Sequence, residues 1–244
     1  THGLINVSEA LRDSCNYFFY EVGYRLSTNN YAMSYNNDAA ENGIEKIQKY
    51  ASLYGLNDTT GVEIEESKPQ VADSFPVMAA IGQSNNNYST VQLARYVTTI
   101  ANEGNCYDLT LINSIKDVDG RLIYEKDNVA VNKVELTDSQ WAVIKQGMRQ
   151  MVSQHTSQSA VINQINVAVA GKTGTAEEDT TRPDHALFVS FAPYENPEVS
   201  VTCVIPHGYT SGNAEELAGL IYAYMYDPEK LDTLDITGNN QISD

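Results

Sequence analysis

The chain has 244 residues, with 15 basic against 32 acidic residues, a formal charge of -17 and 42% hydrophobic content. That charge argues against a nucleic-acid partner, since binding a polyanion requires basic patches, while the hydrophobic share fits one substantial globular core. No stretch of 18 apolar residues signals a membrane span. Cys15, Cys106 and Cys203 are too sparse for a disulfide framework or a metal motif.

Residues 4 to 26 carry an apolar stripe at helical spacing (Leu11, Cys15, Phe18, Phe19, Val22), interrupted at Ser14-Cys15-Asn16. Either one helix bears these small polar groups on its surface, or two helices meet there, with Ser14 or Asn16 available as an N-cap. Residues 27 to 42 read as a polar loop. Gly43 to Leu56 reads as a helix stopped by Gly55. Ser89 or Thr90 caps a helix closed by Asn102-Glu103-Gly104. Residues 107 to 126 read as a hairpin turning at Asp119-Gly120. Thr137 caps a further helix with Trp141, Ile144, Met148 and Met151 on its core face, and Ser153 to Ser159 is a polar loop.

The last third changes character. Ile165 to Ala170, His185 to Phe191 and Val199 to Ile205 read as strands, the last two joined by a short turn and so antiparallel. Gly212 to Tyr226 reads as a closing helix whose Leu217, Leu220, Ile221 and Tyr224 cover the sheet, and residues 227 to 244 form an acidic tail. Helices beside an antiparallel sheet make an α+β fold. The organisation expected is a mainly helical part over 1–164 with the hairpin excursion near 107–126, then sheet and closing helix over 165–226.

One stretch stands out chemically: Gly171-Lys172-Thr173-Gly174-Thr175, at the end of an apolar run. The glycines leave room for another backbone or a ligand, Lys172 brings charge, and the threonines bring hydroxyl donors. Together they can receive a carboxylate laid along a strand. A plain strand running into a glycine turn is the structural alternative. A phosphate loop fits poorly, because the position five before Gly171 is Asn166 where that motif needs glycine.

Ser14-Cys15-Asn16, followed far downstream by Lys172-Thr173-Gly174, resembles the second and third signatures of penicillin-binding proteins and serine β-lactamases, whose order is Ser-x-x-Lys, Ser-x-Asn, Lys-Thr-Gly. The surroundings, Ala10 to Tyr20, Tyr50 to Glu65, Ile81-Gly82-Gln83, Gln92-Leu93-Ala94, Ala170 to Glu177 and His185 to Pro193, resemble class B transpeptidases, with an elongation-type flavour. The resemblance covers nearly the whole chain. It implies a β-lactamase/transpeptidase-like α+β fold, a helical subdomain plus an antiparallel sheet. It also implies a D,D-transpeptidase that cross-links peptidoglycan stem peptides through an acyl-serine and binds β-lactams.

In that chemistry Ser14 relays a proton to the leaving nitrogen, and Asn16 holds the substrate amide. Lys172 supplies positive potential and fixes Ser14. Thr173, Gly174 and Thr175 bind the substrate or antibiotic carboxylate, and the Thr175 amide forms half of an oxyanion hole. No cofactor and no metal are implied. The partners implied are stem peptide, β-lactams and membrane proteins of cell-wall synthesis, at the outer face of the bacterial membrane.

No serine stands three residues before a lysine anywhere in the chain. Together with the start at Thr1-His2-Gly3, this gives the expectation of the C-terminal part of one transpeptidase domain. It would lack the N-terminal strands, the nucleophile helix and the membrane anchor, and would be inactive alone. A β-lactam-binding sensor or other non-catalytic relative is the alternative from a different class. A compact β-lactamase is opposed by the long helical connector and the hairpin. His185 is expected at a strand start and Gly82-Gln83 in a turn. Glu177, Glu178 and Asp184 are expected to form a solvated rim, and His155 and His207 show no ligand spacing.

Overall fold

The computed structural model describes residues 2–155, 159–178 and 180–234. In chain order its elements are α1 (Val7–Arg12), α2 (Asn16–Ser27), α3 (Asn37–Leu53), α4 (Pro76–Ala79), α5 (Thr90–Ala101), β1 (Asn105–Tyr107), β2 (Ser114–Lys116), β3 (Leu122–Glu125), β4 (Ala130–Lys133), α6 (Asp138–Gln154), β5 (Ala170–Ala176), β6 (His185–Ala192), β7 (Val199–Ile205) and α7 (Ser211–Tyr226). Two 3-10 turns, Ile162–Gln164 and Pro228–Thr233, flank the sheet region in sequence. The chain forms two compact units, residues 1–20 with 136–244 and residues 21–135.

The first unit is built on an antiparallel sheet of order β5-β6-β7, an α+β arrangement. Alternation along β6 buries Ala186, Phe188 and Ala192 in one core with Ala214, Ala218, Tyr222 and Ala223 of α7. Ser190 on the same face donates to Val201 O at 2.9 Å and lies 3.0 Å from the Tyr222 hydroxyl. The face of α7 expected to cover the sheet is therefore displaced. Leu217 and Tyr224 are 43% and 73% exposed, and Leu220 is only partly buried. The Phe188 and Tyr222 rings fill the space over the sheet, so alanines mark the closest approach. Gly219 likewise meets the 3-10 turn, where an added Cβ would lie 2.7 Å from Val161 Cγ1.

α6 starts from a Thr137/Gln140 capping box and runs to Gln154, into the first residues of the expected loop. It packs against both α1 and β5. Gly147 permits the contact with α1, since a Cβ there would stand 2.8 Å from Leu11 Cβ and 2.9 Å from Ser8 O. Ser8 Oγ donates to Val143 O at 2.7 Å, and Arg149 Nη1 donates to Val169 O at 3.1 Å. One helix thus fixes both the end of α1 and the entry to β5.

Three further expectations need correction here. The strand expected over 165–170 lies at 170–176, so the glycine-lysine stretch is itself the strand. The residues before it are held in a turn, with Asn166 N–H donating to Asp227 Oδ2 at 3.3 Å. The polar loop expected at 153–159 includes residues 156–158, which lie outside the described ones, but Ser159 is buried. The tail begins with an ordered 3-10 turn and a buried Leu234, and residues 235–244 lie outside the described ones.

The second unit contains α3, α4 and α5 with two two-stranded sheets. α3 starts six residues earlier than its apolar face indicates, because Asn36 accepts from Ala39 N–H at 2.9 Å and caps it. It ends in a Schellman arrangement, Leu56 N–H to Ala51 O and Gly55 N–H to Ser52 O, both 2.9 Å, with Gly55 at φ +73°. Ser89 caps α5 with Gln92 in a capping box. The hairpin pairs β2 with β3, shorter than expected, while β1 pairs with β4 as a ladder absent from the sequence reading. Buried Arg95 bridges the loops by donating to Gly55 O and Asp58 O and pairing with Asp108 at 3.4 Å.

Candidate active site

α1 ends in a Schellman motif that places a serine where glycine is usual. Cys15 N–H donates to Ala10 O at 3.0 Å and Ser14 N–H to Leu11 O at 3.4 Å, with Ser14 at φ 49°. A non-glycine residue in the left-handed region costs about 1 kcal/mol or more and persists where the surroundings hold it. The chain then turns into α2, whose first amide bond runs from Phe19 N–H to Cys15 O at 3.3 Å. The break is thus two helices meeting at Ser14. Its hydroxyl serves something other than a helix cap.

That something is Lys172. Its Nζ donates to Ser14 Oγ at 2.5 Å and to Thr173 O at 2.9 Å. Asn16 opens α2 exposed and, among the described residues, makes no hydrogen bond with either. The structure therefore joins Ser14 and Lys172 across 158 residues, while Asn16 stands beside them with its amide uncommitted.

Pairing across the sheet sets Lys172 opposite Val189 and Gly174 opposite Leu187, whereas Gly171, Thr173 and Thr175 fall opposite Ser190, Phe188 and Ala186. By strand alternation Lys172 and Gly174 share one face, and the threonines share the other. They converge on a single ligand only along the outer edge of β5, which is unpaired among the described residues. The two glycines have different reasons. At Gly171 the space is taken by the protein, since a Cβ would lie 2.4 Å from Phe188 Cζ. At Gly174 a Cβ would meet only Leu187 Cβ at 3.5 Å, an ordinary contact, so packing does not require glycine there.

Burial pulls the Lys172 pKa down to about 8, against an upward pull from Glu215. Glu215 is a residue the sequence reading missed. It is 1% exposed on α7, and burial pushes its carboxyl up to about 7 despite opposing effects of Ser159 and Lys172. Its only sequence signal is an acid next to Ala214 and Ala218 in a helix that covers a sheet.

At the far end of β5, Glu178, His185 and His207 bring ligand-capable atoms within 4.8 Å of one another. His207 N–H donates to His185 Nδ1 at 3.0 Å, which leaves the proton on His185 Nε2 to donate to Glu178 Oε2 at 3.2 Å. A metal ligand needs that nitrogen free of its proton. The arrangement therefore reads as a clasp on the β5–β6 loop. Glu178, expected on a solvated rim, is exposed but engaged.

Comparison with known proteins bears on the same stretch of chain. The family model described as "Penicillin binding protein transpeptidase domain" matches residues 1–223. Penicillin-binding protein 2B of Streptococcus pneumoniae is 31% identical over 221 residues, covering 83% of this chain and 32% of that protein. The chain thus spans about a third of that relative's length. The solved structure of penicillin-binding protein 2B from strain R6 superposes with a TM-score of 0.78 at 28% identity, over 96% of this chain and 40% of that one. Penicillin-binding protein A from M. tuberculosis, solved as an imipenem acyl-enzyme complex, gives 0.72 at 25% identity, over 91% and 47%.

Proposed function

Because the chain belongs to the penicillin-binding protein transpeptidase domain family, we propose that it forms the C-terminal part of a class B peptidoglycan D,D-transpeptidase domain and supplies the carboxylate-binding wall and proton relay of its cleft. The observation that carries this reading is the hydrogen bond from Lys172 Nζ to Ser14 Oγ at 2.5 Å. It gives a hydroxyl, presented on a strained turn, a cationic partner on a strand whose edge is open.

In this reading a serine outside the chain attacks the carbonyl of the penultimate D-alanine, and its proton passes to an adjacent lysine base. Ser14 passes a proton to the departing D-alanine nitrogen, so the acyl-serine bond forms as the peptide bond breaks. A neighbouring stem-peptide amine then takes the acyl group and the serine regains its proton. The substrate lies along the β5 edge as an added strand. Its terminal carboxylate meets Lys172 and the Thr173 and Thr175 hydroxyls, and the absent side chain at Gly174 lets the ligand backbone close in. The Thr175 N–H donates to the oxyanion of the tetrahedral intermediate, and the Asn16 amide holds the substrate amide. A β-lactam occupies the same edge through its own carboxylate.

The setting is the outer face of a bacterial membrane, among other cell-wall synthesis proteins. Among the described residues no helix is long and apolar enough to cross a membrane.

Incubation with a fluorescent penicillin tests the proposal. The full-length protein is expected to carry a stoichiometric covalent label and to release D-alanine from a stem-peptide substrate, while residues 1–244 alone remain unlabelled. A label on the 244-residue chain would overturn the placement of the nucleophile. Labelling without D-alanine release would favour a β-lactam sensor.

A further inference from the structure

Ser14 keeps its left-handed φ of 49° with little help from its own backbone, since its N–H reaches Leu11 O only at 3.4 Å. Strain of that kind persists where neighbouring groups fix the turn. The groups that do so begin one residue earlier. Arg12 Nε and Nη2 donate to Asp13 Oδ1 and Oδ2 at 2.6 and 2.9 Å, a two-pronged pair. Arg12 Nη1 then donates to Gln154 Oε1 at 3.2 Å, which ties the last turn of α1 to the end of α6. His155 Nε2, from the C-cap of α6, and His2 Nδ1 each lie 3.7 Å from the same carboxylate. α6 also fixes the entry to β5 through Arg149, so these contacts refer Ser14 and Lys172 to one frame.

The placement of Asp13 works against local preference. It is the C-cap of α1 and lies beside His155, the C-cap of α6. A carboxylate is disfavoured at a helix C-terminus, where cations are the favoured residues. The hydrogen bonds from Arg12 nevertheless hold the Asp13 carboxyl below the usual carboxylate range, so the charge is kept. Arg12 and Asp13 are only 25% and 21% exposed, better shielded than an ordinary surface ion pair. We propose that Asp13 is a positioning residue: through Arg12 it braces the turn between α1 and α2 against α6 and so holds the Ser14 hydroxyl at Lys172. The brace stands on these contacts, whereas its consequence for catalysis rests on the transpeptidase reading.

Two measurements test it. In the 244-residue chain, hydrogen exchange followed by NMR reads the Cys15 amide, whose bond to Ala10 O closes the turn. Asp13→Asn keeps the shape and removes the charge. It is expected to speed exchange at Cys15 by about tenfold while the β6 amides keep their wild-type rates, the mark of a local opening. Unchanged exchange at Cys15, or an equal rise at Cys15 and in β6, overturns the proposal. Should that variant fail to fold, Gln154→Ala cuts the tether alone and must give a local rise at Cys15, and its absence overturns the proposal equally.

In the full-length protein, second-order rates are compared for a stem peptide and for its thioester analogue. An amide nitrogen needs a proton to leave, whereas a thiol of pKa about 8.5 leaves as thiolate. Asp13→Asn is expected to slow D-alanine release by about tenfold or more and thiol release far less, with Asp13→Glu recovering part of the loss. Equal slowing of both, as a structural role alone would give, or no slowing of either, overturns the link to Ser14. If wild type releases no D-alanine and takes no penicillin label, the transpeptidase reading fails while the brace stands on the exchange result.

Discussion

Replacing either glycine of β5 by alanine separates packing from function on one strand. At Gly171 the new Cβ would stand 2.4 Å from Phe188 Cζ, 2.7 Å from Cε2 and 3.0 Å from Ser190 Cβ. Carbon atoms rest at about 3.5–4.0 Å, so the ring would have to retreat by more than about 1 Å. Phe188 is fully buried against α7 and has no room to do so. Overpacking of this kind costs about 1–3 kcal/mol, against a gain of about 0.4–1 kcal/mol from the stiffer unfolded chain. The net loss is about 1–2 kcal/mol. With a urea slope of about 1–3 kcal/mol per molar, the unfolding midpoint of Gly171→Ala should fall by roughly 0.5–1 M. Gly174→Ala meets only Leu187 Cβ at 3.5 Å and should stay within about 0.5 kcal/mol of wild type. In the full-length protein it should nevertheless slow penicillin acylation by about tenfold or more, because its Cβ stands where a ligand backbone approaches. Equal stability of wild type and Gly171→Ala would refute the packing argument. Normal acylation in Gly174→Ala would refute the edge-docking argument.

Ser14→Gly relieves the left-handed strain, so thermal unfolding should show a stability no lower than wild type, while acylation of the full-length protein falls with the lost Lys172 contact. Tyr222→Phe deletes a buried hydroxyl beside Ser190, which keeps its own bond to Val201 O. Urea unfolding should report a loss of about 1 kcal/mol. Glu215 has its folded pKa raised from 4.5 to about 7. Its contribution is therefore fully present below pH 4.5 and lost as pH rises through about 7, an effect on the order of 3 kcal/mol. Urea midpoints at pH 5 and pH 8 should differ by less in Glu215→Gln than in wild type, and parallel midpoints would contradict the burial argument.

Much of the fold was legible because local signals agreed with it. Ser89 and Thr137 each have a glutamine three residues on and form capping boxes, Gly55 ends α3 at positive φ, and the apolar alternation of β6 and β7 survives packing. What misled was one-sided. Hydrophobic size predicts that Leu217 and Tyr224 face the sheet, but two facing rings already occupy that layer and only alanines fit beneath them. α3 is capped by Asn36, one of several asparagines in a polar run, where composition outweighs the cap. β1 and β4 are three and four residues long and pair across an intervening hairpin, a non-local contact with no local signature.

The candidate site divides in the same way. The two motifs are visible as sequence because each residue type has a chemical task. Their meeting depends on α6, which holds α1 at Gly147 and the entry to β5 at Arg149. Glu215 shows no motif at all, since its burial arises only from the packing of α7.

The central claim is that Lys172 and Ser14 act together in acyl transfer. The most direct test is the second-order rate of penicillin acylation in the full-length protein for wild type, Ser14→Ala, Lys172→Ala and the double variant. The account predicts a loss of at least about a hundredfold for each single variant and little further loss for the double, as for groups that act as one unit. Single variants that acylate at the wild-type rate, or losses that multiply in the double variant, would contradict it.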